Sequence, residues 1–138
     1  MLRAETKARA RALQLLYAWE LQGGPPIPAV ATGLARLTGA RNGAVVQRAE
    51  GLASDVVARI GTLDRHAAAA ADNWRLSRVA TVERNILRLG IRELEQGMVP
   101  PKVAIDEAVR LAHWFAGPRA GAFVNGVLDR IARSFGRL

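Results

Sequence analysis

Apolar positions recur every three or four residues along nearly the whole chain, the spacing of one helix face. No stretch alternates with the period of two that a half-buried strand needs. In the opening segment, about Ala4 to Gln22, Ala8, Ala12, Leu15, Leu16 and Trp19 fall on one side. From Val79 to Gln96 a core line of Val82, Ile86 and Leu89 is flanked by Leu87, Ile91 and Leu94. Ala104 or Ile105, Ala108, Leu111, Ala112 and Phe115 supply the next apolar face, and Val124, Val127, Leu128, Ile131 and Phe135 the last. Ala, Leu and Arg dominate, all good helix formers. The breaks are Gly23 to Pro28, Thr38 to Gly43, Gly97 to Pro101 and Ala116 to Gly121. One long helix is expected from Ala44 to near Asn73. The pattern predicts an all-α fold, a compact bundle of about seven helices in two subdomains, about residues 1–73 and 74–138.

Composition narrows the class. A chain of 138 residues fits one domain and buries roughly two-thirds of its unfolded surface. The absence of Cys excludes a disulfide framework, a cysteine zinc site and a thiol nucleophile, and agrees with a reducing compartment. No apolar run approaches the ~18 residues of a membrane span, and no signal-type segment follows the basic opening. The expectation is a cytoplasmic protein without a membrane partner.

The net charge of +8 is unevenly placed. Residues 1–11 carry +3, from Arg3, Lys7, Arg9 and Arg11 against Glu5. Residues 75–92 carry +4, from Arg75, Arg78, Arg84, Arg88 and Arg92 against Glu83. Residues 119–138 carry +3, from Arg119, Arg130, Arg133 and Arg137 against Asp129. Segregated positive charge suits a polyphosphate partner, because each neutralised phosphate releases counterions.

Particular side chains then sort into roles. Arg3, Lys7 and Arg11, at i, i+4 and i+8, form a stripe opposite the first apolar face, near a helix N-terminus that also favours anions. Arg9 points nearer the boundary of that apolar face. Trp19 reads as core; Tyr17, at the edge of the basic stripe, suits an interface, a base stack or packing on its own helix. Arg88 lies deep in an apolar segment and reads as structural, with Glu107 its expected partner. Asp106 and Glu107 are adjacent, so on a helix they diverge by ~100° and converge on no proton or ion. Asn125-Gly126 interrupts a helical stripe, and the expected resolution is close helix packing over Gly126 with Asn125 bonded to a neighbouring backbone. Phe123, beside Arg119 and two glycines, suits either core packing or a stacked base. No phosphate-cradling loop is present, and His66 and His113 are isolated, so no catalytic residue, cofactor or metal ligand is assigned.

Two ordered phrases carry a resemblance: Val99-Pro100-Pro101-Lys102-Val103-Ala104-Ile105-Asp106-Glu107-Ala108-Val109 and Phe123-Val124-Asn125-Gly126-Val127-Leu128-Asp129. With them go Ala12-Leu13-Gln14-Leu15-Leu16-Tyr17, Asn73-Trp74, Val82-Glu83-Arg84 through Gly90, and Glu93-Leu94. The chain resembles the NusB family of bacterial transcription antitermination factors nearly end to end. The resemblance implies binding to the boxA element of ribosomal-RNA leader transcripts as single-stranded RNA. It also implies a heterodimer with NusE, the small-subunit ribosomal protein ten, within an antitermination complex on RNA polymerase. It places RNA contacts at Arg3, Lys7, Arg9, Arg11, Arg119 and Phe123, and NusE contacts at Tyr17 and Glu83. Arg92 departs from the family pattern, standing where an aromatic often precedes Glu93-Leu94. The alternatives are the RNA-binding domain of a ribosomal-RNA cytosine methyltransferase, which shares the fold, and a helical DNA-binding regulator.

Overall fold

Glycines stop several helices of this chain, and the elements are short enough to pack side by side. The structure, a computed structural model, describes residues 3–38, 43–71 and 79–138. Asn73, Trp74, Arg75 and Arg78 lie outside the described residues. Among the described residues there are seven α-helices and no strand: α1 Ala4–Leu21, α2 Ile27–Thr38, α3 Ala44–Ala58, α4 Ile60–Ala70, α5 Thr81–Gln96, α6 Pro101–Ala116 and α7 Pro118–Ser134. The all-α expectation holds.

The long third helix does not form as one rod. A turn at Arg59 (φ −116°, ψ 17°) separates α3 from α4. Contacts group the chain into two compact units, Met1–Ala58 and Arg59–Leu138. The division therefore comes at Arg59, ahead of the expected position near residue 73, because α4 packs against α5 and α7.

In the first unit α1 packs on α3 and α2. Small residues make this possible: Ala8 and Ala12 on α1 and Ala49 and Ala53 on α3 are buried at four-residue spacing, so the backbones approach closely. Leu15, Leu16, Ile27, Val30, Leu52 and Val56 fill the remainder of this core. The end of α1 is enforced by Gly23 and Gly24, both left-handed at φ 82° and 84°, a conformation a Cβ disfavours. The Gly24 N–H donates to Trp19 O at 2.9 Å, and the half-buried Trp19 ring lies against that glycine.

The second unit is built around α5. Every residue from Asn85 to Ile91 is buried, so this helix is surrounded rather than one-sided. Gly90 is required by proximity: a Cβ there would come within 2.7 Å of Leu128 on α7. Similarly a Cβ at Gly121 would overlap the His113 ring of α6, which fixes how closely the α6–α7 hairpin closes. Pro101 and Pro118 each sit at the first turn of their helix, where the missing N–H costs nothing.

Two structural expectations change here. Arg88 is buried as expected, and Asp64 on α4 is a partner that the sequence reading did not name. Its Nε and Nη2 donate to the two Asp64 oxygens at 2.8 and 2.9 Å, and Nη1 donates to Asn85 Oδ1 at 2.9 Å. Asn85 in turn donates to Thr81 O at 2.9 Å. Glu107 lies 3.5 Å from Arg110 one turn along its own helix. The second change concerns α7. Its buried stripe is Ala120, Gly121, Val124, Val127, Leu128, Ile131 and Ala132. Asn125 and Gly126 fall outside this arc and are exposed, and a Cβ at Gly126 would meet nothing within 4 Å. Among the described residues no helix closes over Gly126, and the close helix approaches are at Gly90 and Gly121.

Candidate nucleic-acid interface

On the first unit the candidate surface is the outward side of α1. Arg3 stands at the N-cap with extended backbone (φ −67°, ψ 152°), and its carbonyl accepts the Lys7 N–H at 3.1 Å. Arg3 and Lys7 are exposed, and Arg11, at the flank of the same side, is half-buried. The helix N-terminus adds a partial positive charge to theirs. Glu5 does not cancel it locally, because its carboxylate turns to Arg48 of α3 at 3.5 Å across an exposed gap.

Arg9 does not share this surface. It is 6% exposed. The buried side of α1 is wider than the apolar pattern indicated, since Thr6 and Leu13, one turn before and after, are also buried. Adding them moves the centre of the buried arc onto Arg9. The same widening leaves the outward line as Arg3, Lys7, Gln14, Tyr17 and Leu21, all exposed at three- to seven-residue spacing. Gln14 and Leu21 were not singled out from the sequence, although their spacing from Arg3 and Lys7 was the available signal. Tyr17 and Leu21 are 40% and 66% exposed, so the cationic end of the line runs into an apolar end.

On the second unit, Arg119 and Phe123 open α7, one helical turn apart. Gly117, at φ 92°, admits the chain into Pro118 and α7, leaving Arg119 exposed while Ala120 and Gly121 face inward. Phe123 is half-buried. At seven residues from Arg119, Gly126 lies on the same side of the helix, so it presents bare backbone beside these two residues. Glu83 is half-buried in the first turn of α5.

The arginines along α5 are held by protein acceptors. Arg84 donates to Val79 O at 2.6 Å and to Thr81 Oγ1 at 3.3 Å, tying down the start of α5. Arg88 is bound to Asp64 and Asn85, and Arg92 lies 3.3 Å from Glu95. This line is structural in its first two members. Among the described residues no group of three or more His, Asp or Glu is placed to hold a metal ion, and no helix is long and apolar enough to cross a membrane.

The model of the NusB family matches residues 6–133. The transcription antitermination protein NusB of Sorangium cellulosum (strain So ce56) is 41% identical over 136 residues, covering 98% of this chain and 96% of that one. A chain from the crystal structure of antitermination factors NusB and NusE in complex with dsRNA superposes with a TM-score of 0.84 at 30% identity, covering 97% of this chain and 99% of that one. NusB from Aquifex aeolicus, solved in solution, gives 0.84 at 30% identity, covering 97% and 90%. A family model spanning nearly the whole chain, with a relative this similar from end to end, places the protein in the NusB family of antitermination factors.

Proposed function

We infer that this chain is a transcription antitermination factor that binds RNA and NusE, and that its RNA is the boxA element of ribosomal-RNA leader transcripts. The observation that carries the reading is the outward line of α1, where exposed Arg3 and Lys7 give way to exposed Tyr17 and Leu21. Cations at a helix N-terminus engage phosphate oxygens, and the apolar end offers a protein partner desolvated area. The similar structure that holds NusB with NusE and dsRNA supports both partners.

Within this reading Arg3, Lys7, Arg11 and Arg119 meet backbone phosphates, and Phe123 stacks on a splayed base. Tyr17 and Glu83 contact NusE. Arg9, being buried, supports α1 from within rather than touching RNA. The mechanism is binding alone, with the assembled complex acting on RNA polymerase in the cytoplasm. The test is a titration of labelled boxA leader RNA, single- and double-stranded, with and without NusE and against duplex DNA as competitor. Tightest binding to boxA RNA with NusE present is the expected result. Preference for duplex DNA, or equal affinity for a scrambled RNA, would overturn it.

A further inference from the structure

Two aromatic residues close α6, and neither is packed away: Trp114 is 47% exposed and Phe115 42%. Phe115 continues the core side of Leu111 and Ala112 at the point where the helix ends. Trp114 lies instead on the outward side, four residues after Arg110 and seven after Glu107. Its ring has a partner there, the Arg110 guanidinium carbon standing 5.8 Å from the indole centroid. Glu107 lies 3.5 Å from Arg110 Nε on the other side, its own side chain only 13% exposed. A tryptophan is ordinarily drawn into a core. Here a carboxylate and a guanidinium steady the ring at the surface, which orders it before any ligand arrives.

The surroundings select that ligand. Nucleobases stack on an indole face whatever their sequence, and a neighbouring guanidinium strengthens the stack. From Ala108 to Leu128 the chain carries Arg110, His113 and Arg119 and no acidic residue, so this segment repels no phosphate backbone. Only Gly117 separates α6 from α7, and the His113 ring against Gly121 closes the hairpin. Trp114 and Arg119 are five residues apart, so at most ~18 Å of chain joins them. The indole therefore continues the Arg119–Phe123 surface of α7 onto α6, within the second unit.

We propose that Trp114, positioned by Arg110, is a base-stacking site for single-stranded RNA, extending the path of the transcript beyond Phe123 onto α6. The inference rests on the RNA reading and adds a contact to it. Stacking contributes affinity with little dependence on base identity, and it releases no counterions.

The test titrates the full chain with labelled single-stranded boxA leader RNA across a salt series. Trp114→Ala should weaken binding about tenfold at every salt concentration, leaving the slope of log affinity against log salt unchanged. Trp114→Phe keeps a ring and should recover most of the loss. Arg110→Gln should lose about threefold, and Arg110→Lys, which can keep a cation over the ring, should recover it. The tryptophan emission of the parent minus that of Trp114→Ala isolates this indole, and RNA should quench it. Circular dichroism reports whether each variant folds; if Trp114→Ala does not, Trp114→Gln takes its place. RNA bound by the parent and undiminished in the folded variant overturns the proposal and leaves the RNA reading standing. A parent that binds no RNA overturns both. A weaker variant with a flattened salt slope has lost phosphate contacts rather than a stack, which also overturns it. So does loss of NusE binding with RNA affinity intact, which would make this face a protein site.

Discussion

Arg88 illustrates how a side chain with no exposed function can govern stability. Its side chain is 8% exposed and bonded at two nitrogens to Asp64, while the Asp64 side chain is 30% exposed. Removing the carboxylate takes two charge-assisted hydrogen bonds from a buried cation, so Asp64→Ala should cost about 3 kcal/mol, read as a lowered urea midpoint with an unchanged m-value. A loss under about 1 kcal/mol would mean that other groups carry Arg88. Gly126 makes the opposite case. It is exposed in the interior of α7 with open space where a Cβ would go, so Gly126→Ala should stabilise the helix by about 0.5–1 kcal/mol. If the Arg119–Phe123 side of α7 approaches RNA closely, the same substitution should weaken boxA binding. A rise in Tm without any loss of affinity would remove this strip from the interface. Burial of Arg88 was legible in the sequence because it interrupts a dense apolar run. Its bond to Asp64 was not, because α4 and α5 are separate helices and only packing brings a residue 24 positions away to Arg88. Asn125-Gly126 misled for a related reason: a polar pair inside an apolar phrase fits either a tight crossing or an outward face, and the choice depends on which arc the helix buries.

Helices were readable where glycine and proline punctuate them. The breaks at Gly23-Gly24, Gly97 and Gly117 correspond to left-handed or otherwise positive φ values of 69° to 92°, which explains why those stops were visible. The division of α3 from α4 had no such marker. Arg59 and its neighbours are compatible with helix, and the turn is accompanied by a tertiary bond from Arg59 to Glu95 that local propensity cannot encode. The breadth of the buried arc of α1 was similarly hidden, because Thr6 and Arg9 are polar yet buried. That breadth matters for function, since it narrows the outward line to Arg3, Lys7, Gln14, Tyr17 and Leu21. Arg3 and Tyr17 are separated by roughly 20 Å along the axis, at ~1.5 Å per residue. The two ends of α1 should therefore act independently. Arg3→Ala/Lys7→Ala should weaken RNA binding measured without NusE and leave NusE binding to this chain intact, while Tyr17→Ala should do the reverse. Strong coupling between the two substitutions in a double-mutant cycle would show that one partner covers the entire helix.

The net charge of +8 overstates what a transcript would encounter. Many of the guanidinium groups are engaged by the protein itself: Arg59 with Glu95, Arg84 with Val79 O, Arg88 with Asp64, Arg133 with Asp129 and Arg137 with Leu94 O. Arg130 likewise donates to Ala70 O. A chain that bound RNA as a diffuse polycation would neutralise about eight phosphates, and log affinity would fall with log salt at a slope of about 5–6. Binding through Arg3, Lys7, Arg11 and Arg119 neutralises about four, so the expected slope is about 3. Replacing Arg3, Lys7 and Arg11 by Ala should bring it to about 1; Arg3 and Lys7 are exposed, so any loss of thermal stability traces to the half-buried Arg11. A parent slope near 6 that barely moves in the triple variant would mean that affinity comes from the molecule's general charge. A slope near 3 that collapses in the variant locates the electrostatic contribution on the N-terminal part of α1.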